Sequence, residues 1–313
     1  MNSKKIKIFC FLIFFFNFFN VNSFENKILF KVDNEIITTI DLYNQRNYLI
    51  AFNKDLEKLD KNKILDIAKN SLIKEKIKTK EISKYTKNLI LEKKFLDKFV
   101  ENIYLNLNLD SLENFINYLD QYNITIEYVN NKISIDVIWN DLIFSKFSKK
   151  VKIDANKIRE NLKKNISKNS KEYLLSEIIF NIPKNSNYKS KFQEIENDIF
   201  EKGFENSVLI HSISNTSAKN NGKIGWVNEN SIDIKIKKYL DNLNIGEHSK
   251  PITVPGGFLI LKINDIKVVE NKNYDIDKEL NEIIKAKTNE QLNNYSNIYF
   301  NKIQKEFIIN DQI

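Results

Sequence analysis

The chain has 313 residues, a formal net charge of +8, one cysteine and two histidines. Disulfide and zinc-thiolate chemistry need several cysteines, and two histidines far apart in the sequence do not indicate a metal site, so we predict no cofactor and no metal. The positive charge is spread through Lys-, Asn- and Ile-rich sequence instead of being clustered, so we predict no nucleic-acid partner.

The first 23 residues have the pattern of a secretory signal peptide. Lys4, Lys5 and Lys7 precede an apolar stretch from Ile8 to Phe19, and Val21-Asn22-Ser23 is a small-residue cleavage site. The apolar stretch is shorter than the roughly 20 residues of a spanning helix. We therefore predict cleavage near Ser23 and export. Retention of this segment as a membrane anchor is the alternative, and a membrane is a partner only in that case.

The cleaved chain begins with a predicted hairpin and continues as helices. Residues 27–39 contain two short apolar runs around Asp33-Asn34, which is typical of two paired strands. Apolar spacing then predicts helices that begin close to these residues: Asp60, Leu91, Asp110, Thr125 and Asp154. We predict Phe95, Phe99 and Trp139 as core residues of this region. The number of apolar faces exceeds what one small bundle hides, which leaves room for a groove.

All six glycines and all three prolines fall between Pro183 and Gly257, so the turns of the chain are concentrated in one module. Strand and helix patterns alternate over residues 171–267, which predicts a small α+β domain. Its predicted elements are strands over 173–182 and 258–266 and helices over 189–202, 204–210 and 232–243. Uninterrupted helical spacing follows over 275–304, and the chain ends in a strand candidate over 306–309.

Several short motifs in this module occur in the order and spacing of a parvulin-type prolyl isomerase domain. They are Leu175-Ser176-Glu177-Ile178-Ile179, Gly203-Phe204, His211-Ser212, Asn221-Gly222-Lys223-Ile224-Gly225-Trp226, Gly246-Glu247 and Gly256-Gly257-Phe258. The whole mature chain resembles the SurA-type periplasmic chaperones, with a single, degenerate parvulin (PpiC-type) domain. The fold class that this resemblance implies is mainly α with a small α+β domain, in which a discontinuous helical core module carries one inserted parvulin-like domain.

The resemblance also implies a division of the chain. Residues 1–23 are the signal peptide, 24–168 the helical N-terminal domain and 170–268 the parvulin-like domain. Residues 273–313 supply a C-terminal helix and strand that complete the N-terminal module.

Catalysis is where the sequence departs from the parvulin pattern. Parvulins lower a rotation barrier of about 18–20 kcal/mol with an apolar proline pocket above a hydrogen-bonded floor. The resemblance places that floor on Glu177, Ser214, Gly256 and Leu259. The family has two histidines, a Cys or Asp, and a Ser or Thr at these positions, and none of them is kept here. We therefore assign no confident catalytic residue and predict an inactive domain.

The apolar pocket of the family is retained in part. Ile232 and Ile236 stand at the positions of its Met and Phe walls, with Phe258 nearby, and these three are the predicted substrate-binding residues. His211 matches a His-Ser pair outside the floor, so we expect a structural or surface-exposed histidine and not a catalytic one. Positive φ at Gly222 and Gly225 is expected to turn Trp226 inward to the core.

Together with the predicted signal peptide, the resemblance implies an exported chaperone in the periplasm that binds unfolded or partly folded polypeptides. The resemblance implies that the clients are outer-membrane proteins in transit. Binding is expected to be independent of ATP because the sequence has no G-x-x-x-x-G-K-[ST] loop. Two alternatives remain. One is an active prolyl isomerase whose floor uses other residues than those of the family, and the other is a membrane-tethered assembly factor.

Overall fold

A computed structural model describes residues 26–165, 169–182, 187–213, 221–254, 257–270 and 275–311. The predicted signal peptide lies outside these residues. The described helices are α1 (Thr39–Phe52), α2 (Lys61–Ser83), α3 (Lys93–Asn106), α4 (Leu112–Asp120), α5 (Ile126–Phe147), α6 (Ala155–Asn165), α7 (Tyr188–Lys202), α8 (Phe204–His211), α9 (Ile234–Leu240) and α10 (Ile276–Ile303). The described strands are β1 (Ile28–Val32), β2 (Glu35–Thr38), β3 (Asn169–Phe180), β4 (Lys223–Asn228), β5 (Ile252–Val254), β6 (Gly257–Glu270) and β7 (Ile309–Asp311). The predicted fold class, mainly α with a small α+β domain, is confirmed.

A three-stranded sheet joins the two ends of the described chain. Its order is β2-β1-β7, and both pairs are antiparallel. The hairpin turn is held at Asp33, whose φ is +51°, since the Ile308 amide donates to Asp33 Oδ1 at 2.9 Å. Thr38 then starts α1 with a capping box, in which its backbone amide donates to Asp41 Oδ2 at 2.8 Å. The terminal strand thus becomes the third strand that a marginal hairpin needs.

The core beneath this sheet combines residues from both ends of the sequence. Phe30, Val32 and Ile37 from the strands pack in one buried cluster with Trp139 of α5 and Ile303 of α10. Trp139 is a core residue, as predicted. Helix α10 therefore packs on helices that precede it by more than a hundred residues.

Helix α3 buries a different face from the one that we predicted. Leu96 and Val100 are buried in a cluster with Phe115 of α4. Phe95 and Phe99 are 46% and 41% exposed, so their prediction as core residues was wrong. The reason is that α3 has apolar residues on two adjacent faces, about 100° apart around the helix, and α4 covers only one of them.

The second sheet is antiparallel with the order β4-β3-β6-β5, and it separates two apolar layers. Helix α9 lies over one layer, which we call the α9 face; its buried strand residues are Tyr173, Leu175, Leu259, Leu261 and Ile263. Helices α7 and α8 cover the other layer, called the α7/α8 face, with Ile178, Phe180 and Ile260 of the strands. Alternation along β3 and β6 sends neighbouring residues to opposite faces.

Contacts between described residues link this α+β unit to the helical region near α8 and near Ser231. Leu209 of α8 packs against the cluster of Ile50, Leu56, Leu59 and Ile64, and the Asn221 side-chain amide donates to Asn53 Oδ1 at 3.1 Å. Ser231 donates to Glu279 of α10 at 3.0 Å. The domain boundaries drawn from the sequence remain predictions. None of the described helices combines the length and the apolar character needed to cross a membrane.

Candidate functional site

The two strands that carry the predicted floor lie side by side at the centre of the sheet. Glu177 of β3 is opposite Leu261 of β6, and Ile179 is opposite Leu259. Glu177 therefore lies between Leu175 and Ile179 on the α9 face, where it is partly buried. Leu259 is buried on the same face. The structure thus brings two of the four predicted floor residues together.

The predicted pocket walls pack on the same face. Ile232 and Ile236 are partly buried against the cluster that contains Leu259 and Leu240. Helix α9 is shorter than the predicted 232–243 because Asp233 caps it, accepting a hydrogen bond from the Lys235 amide at 2.8 Å. Ile232 therefore precedes the helix and Ile236 lies within it, and both contact the apolar layer.

Phe258 lies on the other side of the sheet from these residues. It packs against the cluster of the α7/α8 face, and its ring stacks on Phe180 with 5.5 Å between centroids. Tyr188 approaches the same ring at 5.2 Å. Our grouping of Phe258 with Ile232 and Ile236 is therefore corrected: residues 258 and 259 are neighbours in β6, and successive side chains of a strand point to opposite faces. The remaining two floor positions, Ser214 and Gly256, lie outside the described residues.

The turn that leads into β4 holds the backbone of Glu177. The Glu177 amide donates to the carbonyl of Gly222 at 2.8 Å. Gly222 has φ +81°, and a Cβ there would lie 2.6 Å from Val208 Cγ2 and 2.7 Å from the Glu177 carbonyl oxygen. Gly225 also has positive φ, at +95°. Glycine at 222 is required both by conformation and by close approach to β3.

Trp226 does not turn inward. Its side chain is 41% exposed, and Lys267 Nζ lies 4.1 Å from the ring centroid. The prediction of a core tryptophan was wrong. Trp226 pairs with Leu174 of β3, and neither residue belongs to the buried cluster on the α9 face.

His211 is buried in a polar network between α7 and α8. Its Nε2 lies 2.7 Å from Asp198 Oδ2, and Lys191 Nζ lies 3.2 Å from Nδ1. A neutral ring protonated on Nε2 satisfies both contacts, because Nε2 then donates to the carboxylate and Nδ1 accepts from the ammonium. Burial, and then Lys191, lower the pKa of His211, while Asp198 opposes the shift. His211 thus has the structural surroundings expected from the sequence.

His248 lies on the same side of the sheet as His211. Its Nδ1 is 3.5 Å from Glu196 Oε1 of α7, and its ring is 6.2 Å from the ring of Phe204 of α8. The chain has no other histidine. Both imidazoles therefore belong to the α7/α8 face, and Glu177 and Leu259 belong to the α9 face. The α9 face is lined by apolar side chains, and Glu177 lies among them between Leu175 and Ile179.

The described residues contain no group of three or more His, Cys, Asp or Glu side chains that could hold a metal ion. Sequence reasoning missed a polar contact at the residue before Glu177, in which the Asn264 amide donates to the buried Ser176 hydroxyl at 2.8 Å. A serine inside an apolar strand was the available signal. Asn264 is the extra residue of a bulge in β6, between the pairs Leu174–Asp265 and Leu175–Ile263, and no pattern in the sequence shows that bulge.

Comparison with known proteins identifies the α+β unit. The family model for a rotamase, the PPIC-type PPIASE domain, matches residues 178–265, and Glu177 immediately precedes the match. The chain therefore contains a PPIC-type domain, and the predicted parvulin recognition is confirmed. A search of curated protein sequences found no match.

Solved structures similar to the chain include chaperones and an isolated domain. One comes from the Campylobacter jejuni pair PEB4 and Cj1289, described as SurA-like chaperones, with 17% identity, 91% of this chain and 99% of that chain covered, and a TM-score of 0.37. PrsA from Bacillus subtilis has 20% identity, covers 90% and 92%, and has a TM-score of 0.30. The parvulin domain of PpiD from E. coli has 20% identity, covers 34% and 98%, and has a TM-score of 0.28.

Proposed function

We propose that this protein is an exported, ATP-independent chaperone that binds unfolded polypeptides and whose PPIC-type domain does not catalyse prolyl isomerisation. In this proposal the clients are outer-membrane proteins in transit through the periplasm. The PPIC-type domain contributes apolar surface to client binding, and it holds the parts of the client-binding surface at a fixed distance from one another.

The position of the two histidines is the observation that best supports the proposed lack of isomerase activity. His211 is hydrogen-bonded to Asp198, and His248 Nδ1 lies 3.5 Å from Glu196 Oε1. Both rings lie on the α7/α8 face, across the sheet from Ile232 and Ile236. No imidazole is available on the α9 face, where a prolyl peptide would lie. Leu259 has no polar atom in its side chain, so it cannot form the hydrogen bond that the floor of a parvulin supplies.

Client binding is supported by the exposed face of α3. Phe95 and Phe99 are four residues apart, so they stand one above the other on the helix, and each is more than two-fifths exposed. A contiguous exposed apolar patch, unlike a single exposed residue, marks an interaction surface in a soluble protein. Weak aromatic contacts also suit a binder of many different sequences better than one closely fitted pocket. We place initial capture on this face because, between the helical region and the PPIC-type domain, Leu209 already packs against a buried apolar cluster.

An active isomerase is the second candidate. It is favoured by the apolar layer of the α9 face, where Ile232, Ile236 and Leu259 still pack together. Exclusion of water by such a surface would assist rotation about an imide bond. A membrane-tethered assembly factor is a third reading, and it depends on the segment before residue 24.

One pair of assays separates these candidates. Purified mature protein is tested for suppression of aggregation of an unfolded outer-membrane protein, and the cis–trans exchange rate of an Ala-Pro peptide is measured by NMR exchange spectroscopy. We expect suppression without acceleration of exchange. Acceleration that is abolished by Ile236→Ala would overturn the inactive-domain proposal in favour of the isomerase. Localisation is tested separately by mass spectrometry of the N-terminus after expression in a secreting host, with cleavage near Ser23 expected.

A further inference from the structure

A small polar cleft lies within the helical region, away from the PPIC-type domain. It is formed by α1, α2 and α5, is partly open to solvent, and encloses about 80 Å³, enough for several waters or one small group. Three lysines line it, Lys74, Lys78 and Lys132, together with two carboxylates, Glu75 and Asp136. The lining therefore has one more positive charge than negative charges.

Two of the three lysines are paired with the two carboxylates. Lys132, which is buried, contacts Glu75 Oε2 and also Gln45 Oε1 at 2.5 Å. Lys78 Nζ lies 3.0 Å from Asp136 Oδ1. Lys74 has no carboxylate partner among the described residues, although it is partly buried. Burial, and then the neighbouring Lys78, lower the pKa of Lys74, which is the direction expected for an ammonium without a counter-charge.

A second donor without an acceptor stands beside Lys74. Gln45 Oε1 accepts from Lys132 and from the Tyr128 hydroxyl, which fixes the orientation of the amide. Gln45 Nε2 therefore donates to Ser71 Oγ, at 2.9 Å. The Ser71 oxygen acts as the acceptor in that bond, and within the described part of the chain no group accepts the hydrogen of its hydroxyl. Ser71 and Lys74 are three residues apart on α2, so both donors lie on the same side of the helix.

We propose that this cleft binds a monovalent carboxylate, which accepts hydrogen bonds from Lys74 Nζ and from the Ser71 hydroxyl. A single negative charge balances the lining, whereas a phosphate dianion would leave an excess negative charge in a partly buried site. Ile135 and the ring of Tyr48 supply apolar surface for the carbon atoms next to the carboxylate. The carboxylate can belong to a small organic acid or to the C-terminus of a peptide, and the proposal stands apart from the client-binding proposal.

The site is tested with sodium acetate against sodium chloride at equal ionic strength, followed by amide chemical shifts of the full mature chain. Acetate is expected to shift amides around Ser71, Lys74 and Lys132 in a saturable way that chloride does not reproduce. Lys74→Met should weaken acetate binding by about tenfold or more, since it removes a charge-assisted hydrogen bond. Lys61→Met removes an exposed lysine at the start of the same helix and should bind acetate like the parent.

The two sources of carboxylate are separated with N-acetyl-Ala-Ala and its C-terminal amide. Binding of acetate alone identifies a site for small organic acids, and binding of the free acid but not of the amide identifies a site for chain ends. If Lys74→Met does not fold, Ser71→Ala serves in its place, and weaker acetate binding is again expected. Equal responses of the parent to acetate and chloride would overturn the proposal. So would unchanged acetate affinity in a folded Lys74→Met protein.

Discussion

The indole N–H of Trp139 donates to the hydroxyl of Ser296 at 2.8 Å, a contact between residues 157 positions apart in the chain. Trp139 is buried in α5, and Ser296 belongs to α10. Next to them, the Tyr299 hydroxyl donates to Glu81 of α2. The last long helix therefore supplies hydrogen-bond partners, as well as apolar surface, to the core formed by the first part of the chain.

We expect Ser296→Ala to destabilise the protein by about 1–3 kcal/mol, because a buried indole N–H then loses its acceptor. Urea denaturation monitored by tryptophan fluorescence measures the change in the free energy of unfolding. Ser145→Ala is the matched control, since Ser145 is exposed on α5 and its loss should change little. Equal stability of the two variants would mean that water satisfies the indole when Ser296 is removed.

Truncation before residue 271 should unfold the helical region. It removes the buried side chains of Leu280, Ile283 and Ile303, each worth about 1.5–3 kcal/mol, and it removes β7 from the first sheet. Typical net stabilities are only about 5–15 kcal/mol, so a loss of this size is not tolerated. Circular dichroism melts of the truncated and full mature chains test this expectation. A truncated protein that melts like the parent would show that residues 275–311 are an appendage.

Local signals in the sequence predicted most helices and the long strands β3 and β6, because each has a cause within a few residues, but the short strands β4 and β5 were not predicted. Ser111 and Asp275 cap helices where the sequence placed helix starts. The choice of buried face was harder, as Phe95 and Trp226 show. Apolar residues surround much of α3, and only the position of α4 decides which of them are covered. The side of the sheet on which Phe258 packs depends on strand register. A sequence prediction locates strand ends only to within a few residues, so it does not determine that register.

Replacement of the exposed aromatic pair tests the capture surface directly. Phe95→Ser with Phe99→Ser should weaken suppression of client aggregation while leaving the melting temperature nearly unchanged, because neither side chain belongs to the core. Phe200→Ser is the control: Phe200 is 92% exposed but stands on α7 of the PPIC-type domain. Suppression that falls equally in the pair variant and in the control would indicate general surface hydrophobicity instead of a specific face.

Stability of the PPIC-type domain should depend on pH through His211. Its pKa is lower in the folded state than the value of about 6.5 in an unfolded chain, so the unfolded state binds the proton first as the pH falls. The contribution is fully present above pH of about 6.5 and is lost below it, with a slope of at most about 1.4 kcal/mol per pH unit. Lys191, Glu194 and Asp198 are the charged groups that face the ring.

The measurement for His211 is urea denaturation at pH 8 and pH 5.5 in the parent and in His211→Gln. Glutamine can keep a donor toward Asp198 but does not titrate, so the variant should lose less stability between the two pH values. Titration of other groups is common to both proteins and cancels in the comparison. An identical pH dependence in both proteins would contradict the assignment of this slope to His211.

Gly222→Ala should be far more damaging than Gly225→Ala, although both glycines have positive φ. At Gly225 a Cβ meets nothing within 4 Å, so alanine there pays only the conformational cost of about 1–2 kcal/mol. At Gly222 the same cost is joined by contacts of 2.6 Å to Val208 Cγ2 and 2.7 Å to the Glu177 carbonyl oxygen. Valine can shift, but the carbonyl belongs to the central strand β3, so relief requires β4 and β3 to separate.

We expect about 1–3 kcal/mol of further destabilisation for Gly222→Ala, the range of an overpacked site, measured by urea denaturation of the two variants. Equal losses in the two variants would show that the turn moves away from β3 at little cost, and the Glu177 backbone would then not depend on Gly222 for its position.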